Sequence, residues 1–292
     1  MNGTIDGFSY GLVTPVAAYV MACLGSALGL RCVVRTVHRS PGWRPGWLAL
    51  GAASLGCGIW TMHFIAMTGF SVRQTPVTYD VPLTVLSLMV AIVVVSAGVF
   101  IVGYRGAAPA TLTVAGTITG LGVAAMHYLG MSAMRLNGVI RYDAVAVALS
   151  VVIALVAATA ALWAAVSVRG FLRSLGASLV MGLAVSGMHY TGMAAVSVHL
   201  HSDTTQAATG PSGVSLLLPM LLGPVIFLIL AGAVVMFDPV LILGDGEWNS
   251  QASRSGPAGS GPVGSGRGTY SMDSTHATSE PWRNAAGEHL GR

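Results

Sequence analysis

Three short segments of this 292-residue chain set a histidine among methionines inside apolar sequence: WTMHFIAMTGF (60–70), AAMHYLGMSAM (124–134) and SGMHYTGMAAV (186–196). Aligned, they share Met-His-(Phe/Tyr)-x-x-Met. The copies are Met62, His63, Phe64, Met67; Met126, His127, Tyr128, Met131; and Met188, His189, Tyr190, Met193. A helix turns about 100° per residue, so the second methionine lies roughly 40° around from its histidine and one turn along. Imidazole and thioether therefore share a face. The first methionine is about 100° away and reaches the same place only if the helix is favourably rotated. Seven residues before each histidine stand Gly56, Gly120 and Gly182, and three after it stand Ala66, Gly130 and Gly192. Small residues let helices approach closely in lipid, so three helices meeting there would bring the imidazoles together.

Neutral imidazoles with thioethers, and no carboxylate or thiolate beside them, suit a transition metal. Nitrogen ligands accept copper, zinc, iron or nickel, and soft thioethers tilt the choice toward copper, Cu(I) above all. A three-histidine zinc site with a water is the main rival and leaves the methionines unexplained. Haem would use one or two of the histidines and leave the third redundant. Each element also has a plainer reading: an intramembrane histidine as a helix-helix hydrogen-bonding residue, a methionine as core filler, a tyrosine as an interfacial anchor or a hydrogen-bond support to a ligand. Repetition favours the site, because polar residues within a membrane are expensive and by default functional. The candidate ligands are His63, His127 and His189 with Met67, Met131, Met193, Met62, Met126 and Met188. His199 and His201 in HLHSD form a weaker outward-facing His-x-His candidate.

The elements that must position these residues are membrane helices. The chain is 54% hydrophobic and 8% charged, which points to an all-α integral membrane protein. Seven apolar stretches suffice to cross the bilayer, near 10–30, 47–70, 82–103, 110–134, 144–168, 173–198 and 214–237; about 20 helical residues are needed. Before residue 238 the acids are Asp6, Asp80, Asp143 and Asp203, all outside these spans, and there is no lysine anywhere. The histidines are 64 and 62 residues apart, the length of two helices with their loops. Three parallel two-helix repeats, about 10–70, 82–134 and 144–198, with helix 7 extra, account for this. The odd helices of the later repeats begin alike, TVLSLMVAIVVV (84–95) and AVALSVVIALVA (146–157), each after a Tyr-Asp pair whose Asp80 or Asp143 is expected to cap the helix.

Arginines set the expected orientation. Arg31, Arg35, Arg39, Arg44, Arg105, Arg169 and Arg173 fall in one set of connections, against Arg73, Arg135 and Arg141 in the other. The positive-inside rule then puts the N-terminus outside, the C-terminus in the cytoplasm and the histidine-bearing ends outward. The opening MNGTIDGFSYG lacks the features of a cleaved signal. Cys23, Cys32 and Cys57 lack metal or redox spacing and read as buried packing thiols. Residues 244–292, rich in Gly, Ser and Pro, are expected to form a disordered cytoplasmic tail with no second folded domain.

With Met188-His189-Tyr190-Thr191 intact and the other copies as MHFIAM and MHYLGM, the chain over about 8–240 resembles the MHYT domain family. The resemblance implies a bacterial inner-membrane sensor that binds copper through the motif His and Met residues and perceives oxygen, carbon monoxide or nitric oxide. Such domains are often joined to cyclic-di-GMP enzymes or histidine kinases. The tail here carries neither, so a separate cytoplasmic or membrane signalling protein is the expected partner besides the lipid bilayer. Phe64 replaces the motif tyrosine of the first copy. A copper-handling membrane transporter, or a metal-binding membrane protein without a signalling role, is the alternative. Retinal is excluded as a cofactor for want of a Schiff-base lysine, nothing resembles a nucleic-acid module, and no carboxylate pair or Ser/His arrangement within the spans suggests an enzyme.

Overall fold

The computed structural model describes residues 3–38, 44–168, 170–200 and 213–237. Among them, seven helices are long and apolar enough to cross a membrane. They are α1 (Val13–His38), α2 (Arg44–Thr68), α3 (Val81–Arg105), α4 (Pro109–Ser132), α5 (Ala144–Ser167), α6 (Phe171–Ala194) and α7 (Gly213–Met236). Proline opens several of them, at Pro45, Pro82 and Pro109, where its missing N–H costs nothing. Asp80 and Asp143 do cap α3 and α5: their carboxylates accept from Leu83 N at 3.1 Å and Ala146 N at 2.9 Å. The tail and His201 to Asp203 lie outside the described residues; His199 is exposed on a strand.

Two helices depart from the apolar runs. α1 continues past residue 30 to His38, because Arg31 and Arg35 lay their guanidinium groups over Phe171 and Trp47, at 4.9 and 4.4 Å from the ring centroids. α6 stops at Ala194, since Val196 and Val198 alternate inward on a strand rather than continuing the helical stripe.

Six helices form a closed ring. α1 packs on α2 and α6, α3 on α2 and α4, and α5 on α4 and α6, while α7 lies against α2 and α1 outside the ring. α2 is the most enclosed, with 78% of its membrane window buried against 17% for α5. Gly25 and Gly58 bring α1 and α2 backbone to backbone: a Cβ on Gly25 would lie 2.7 Å from the Gly58 Cα. Elsewhere, apolar side chains face outward, as Val145, Val152 and Val156 do on α5 and Leu172, Val180 and Leu183 on α6. That pattern suits lipid rather than water.

One end of the ring carries three antiparallel ribbons. β1 (Ile5–Asp6) pairs with β2 (Ser71–Val72), β3 (Thr78–Tyr79) with β4 (Met134–Arg135), and β5 (Gly138–Tyr142) with β6 (Val196–Leu200). Each joins the segment before an odd helix to the segment after the next even one, so each two-helix unit is tied at its mouth. The Asp80 and Asp143 amides continue the ties by donating to Ala133 O and Ala195 O, both at 2.8 Å. Arg31, Arg35, Arg44, Arg105 and Arg173 lie toward the opposite end, in the final third of α1, on the last turn of α3 and on the first turns of α2 and α6.

Candidate metal centre

The ribbon-side halves of α2, α4 and α6 converge on three imidazoles. His63, His127 and His189 are each 1% exposed. Nδ1 of His63 lies 3.0 Å from Nδ1 of His189 and 3.1 Å from Nδ1 of His127. The rings stand nearly perpendicular, with centroids 4.9, 5.0 and 5.2 Å apart. One ligand nitrogen from each lies within 4.8 Å of the other two, and no second such group of His, Cys, Asp or Glu occurs among the described residues.

Protons alone do not satisfy this arrangement. A neutral imidazole has one N–H and one lone pair, so Nδ1 of His63 can donate to one neighbour or accept from one, yet it faces two. Nε2 of His63 and of His127 is buried with no hydrogen-bond partner. A shared cation would take all three Nδ1 lone pairs at once. Metal–nitrogen bonds of about 2.0–2.1 Å in tetrahedral or trigonal geometry hold nitrogens roughly 3.3–3.6 Å apart. The observed spacing is a few tenths of an ångström tighter, within reach of small ring shifts. The donor set fits a late first-row ion through Nδ1.

Glycine shapes the outer edge of two of the three rings. A Cβ on Gly130 of α4 would lie 2.5 Å from Nε2 of His63, and one on Gly192 of α6 would collide with Nε2 of His127. These two glycines therefore seat imidazoles of the preceding even helix. The deeper glycines do something other than draw the even helices together. Gly56 lies against Ile92 of α3, Gly120 against Leu155 of α5 and Gly182 against Cys23 of α1. They set each even helix onto an odd neighbour, which is what closes the ring.

The methionines are packed into the same region. Met62, Met126 and Met131 are fully buried, and Met67 and Met188 are 1% exposed; Met193 is half-buried. Met62 packs with Ala18 and Ala22 of α1 and with Ala66. Met67, one turn beyond His63, lines a cleft of about 250 Å³ at the ribbon end together with Thr68, Ser71, Thr75 and Tyr79.

Aromatic rings form a collar. Phe64, Tyr128 and Tyr190 each stand edge-on to the adjacent histidine, at 4.6, 4.8 and 5.0 Å between centroids. The Tyr128 hydroxyl bonds outside the imidazole cluster. The Tyr128 hydroxyl is 2.6 Å from Ser150 Oγ, which itself donates to Val147 O at 2.8 Å, so Tyr128 donates to Ser150. Ser87 plays the same part in α3, donating to Thr84 O at 2.6 Å and accepting from Trp60 Nε1 at 2.9 Å. Each serine is seven residues after the capping aspartate of its helix. That repeated Asp-to-Ser spacing is the signal that marks them, within segments already alike in sequence. Tyr190 differs, stacking on Phe8 at 5.8 Å with no hydroxyl partner.

Known proteins place this geometry in a family. The MHYT family model, described as a bacterial signalling protein N terminal repeat, matches at residues 56–115, 120–178 and 182–241, each match containing one of the clustered histidines. The chain is 38% identical over 207 residues to the bifunctional diguanylate cyclase/cyclic di-GMP phosphodiesterase MucR of Pseudomonas aeruginosa, covering 69% of this chain and 30% of that protein. To the cyclic di-GMP phosphodiesterase NbdA of the same organism it is 36% identical over 216 residues, covering 68% and 27%. To the signalling protein YkoW of Bacillus subtilis it is 30% identical over 203 residues, covering 65% and 24%. This chain thus spans less than a third of the length of these relatives. No solved structure matches it. On three repeat matches that together take in more than half of its residues, the chain belongs to the MHYT family of membrane-spanning sensor domains in bacterial signalling proteins.

Proposed function

We propose that this domain is a copper-dependent sensor in the cytoplasmic membrane, which holds the metal through Nδ1 of His63, His127 and His189 with thioether help from the motif methionines. The observation that carries the reading is the meeting of three buried imidazoles at Nδ1 of His63, which a single proton or lone pair can join to only one of its two neighbours. Methionine beside imidazole favours copper over zinc. Bound copper would supply a one-electron couple and a coordination position for oxygen, carbon monoxide or nitric oxide. The chain's own part is to fix the three nitrogens, exclude water and couple the rings to helices. His63 and His127 rest against Gly130 and Gly192, so a change in ring spacing would push directly on the backbones of α4 and α6 and carry a signal into the helices.

The arginine-rich end faces the cytoplasm in this reading, and the ribbon end faces out. The cleft that reaches Met67 is then on the outer side. MucR and NbdA are named for cyclic di-GMP turnover, and their likeness supports an output through that messenger. A copper transporter would need further ligands toward the arginine end, where the cavity wall adds only the thioether of Met181 to the motif residues, among mostly apolar side chains.

The test is metal content. Full-length protein in lipid nanodiscs is loaded with Cu(I) without oxygen, washed and analysed for copper and zinc, beside the H63A/H127A/H189A variant. Copper is expected in the wild type and at least ten-fold less in the variant. Equal copper in both removes the histidines as ligands.

A further inference from the structure

Beneath the histidines, toward the arginine end, the ring encloses an apolar cavity to which α1 through α6 all contribute. Its walls follow the repeat. One turn below the histidines stand Ile59, Val123 and Val185, and one turn deeper stand Leu55, Thr119 and Met181, each set falling four and eight residues before His63, His127 and His189. The three imidazoles are thus the top layer of a three-fold stack, and Met188, next to His189, also lines the space.

The opening exists because the repeat is broken in α5. Taking the capping aspartates as the register, Val94 and Val95 of α3 correspond to Ala157 and Ala158 of α5, both of which line the cavity. Two valines of one repeat are alanines in the next, and the one carbon gained at each of Ala161 (for Gly98) and Leu162 (for Val99) does not make up the four lost. The centre of a water-sized molecule has about 50 Å³ in which to move, several times the roughly 10–15 Å³ that one water requires.

Water is a poor occupant. An ordered buried water needs two to four polar partners, and the wall is aliphatic apart from Ser26 and Thr119. Thr119 is 6% exposed, and its unpartnered Oγ1 packs against Gly98 of α3, so it adds little to hold a water. Cavities lined by aliphatic groups stay dry and take up apolar molecules or xenon.

We propose that this cavity binds a small uncharged molecule of diatomic size and stores it directly under the three-histidine cluster. The inference deepens the sensor reading by giving a gaseous ligand a place to wait beneath the imidazoles. It does not require the metal.

Xenon is the probe. Full-length protein in nanodiscs is titrated with xenon and followed by 129Xe NMR, and crystals are pressurised to locate the atom. The expected result is saturable binding with density between Ile59, Val123 and Val185. The A157V/A158V variant, which restores the α3 residues, is expected to lose it at least five-fold while keeping its melting temperature and copper content. Absence of saturable xenon in the wild type, equal binding by a folded variant, or a lipid chain or ordered waters filling the space would overturn the proposal. Should the double variant not fold, A158V alone and the wild-type crystal still decide. Copper analysis of the same samples separates the two readings: xenon bound without copper leaves the cavity and removes the metal, and copper without xenon does the reverse.

Discussion

A single methyl group tests how the imidazoles are held. On Gly130 it would lie 2.5 Å from Nε2 and 3.1 Å from Cδ2 of His63, a fully enclosed ring that cannot swing aside. On Gly187, two residues before His189 on α6, it would meet nothing within 4 Å. Both changes gain up to about 1 kcal/mol of helix preference, but overpacking a filled core costs about 1–3 kcal/mol. Gly187→Ala is therefore expected to be neutral or stabilising in detergent unfolding, and Gly130→Ala to lower both stability and copper retention. If the two variants behave alike, His63 is not seated on Gly130. The histidines themselves were legible in the sequence because a costly residue recurs at one helical depth. The choice of Nδ1 over Nε2 was not, since ring orientation depends on which neighbour is glycine. Nor were the hydroxyl partners Ser150 and Ser87, which sit on other helices.

At the scale of elements, the apolar runs foretold every helix, because continuous hydrophobicity over a bilayer's thickness has few other uses. The ribbons were hidden: two of the three are only two residues per strand, too short for any alternation to show. Ring closure was also out of view. The family repeats begin within α2, α4 and α6 and so assign α7 to the third unit, yet in space α1, not α7, fills the gap between α6 and α2. The contact that closes the ring is Gly182 against Cys23, where an added Cβ would fall 2.5 Å from the thiol sulfur. A Gly182→Cys variant therefore has a partner within reach of an S–S bond of about 2.05 Å once Cys23 rotates. Mild oxidation should link α1 to α6, seen as a non-reducible-until-DTT peptide pair by mass spectrometry. Gly223→Cys on α7, with nothing within 4 Å of its Cβ, should stay free. A link from Cys23 to residue 223 in place of 182 would put α7 into the ring.

For the whole molecule, asymmetry of charge decides what the site can sense. Five described arginines gather at one end, and three, Arg73, Arg135 and Arg141, at the ribbon end, where Arg135 is already paired with Asp80 at 3.1 Å. That carboxylate is held below its ordinary range by the Leu83 amide first and Arg135 second; the count of arginines, five against three, is what sets the bias. Insertion with the arginine-poor end outward is the prediction of the positive-inside rule, and it would place the histidines and the Met67 cleft near the outer surface. Two single cysteines, introduced after replacing Cys23, Cys32 and Cys57, read the orientation directly. Ser197 is exposed on β6 and Arg105 is exposed at the end of α3. In intact cells an impermeant maleimide should label Ser197→Cys and spare Arg105→Cys, which should react only after the membrane is opened. The reverse pattern would put the histidine cluster on the cytoplasmic side and turn the domain from a sensor of the surroundings into a sensor of the cell's interior.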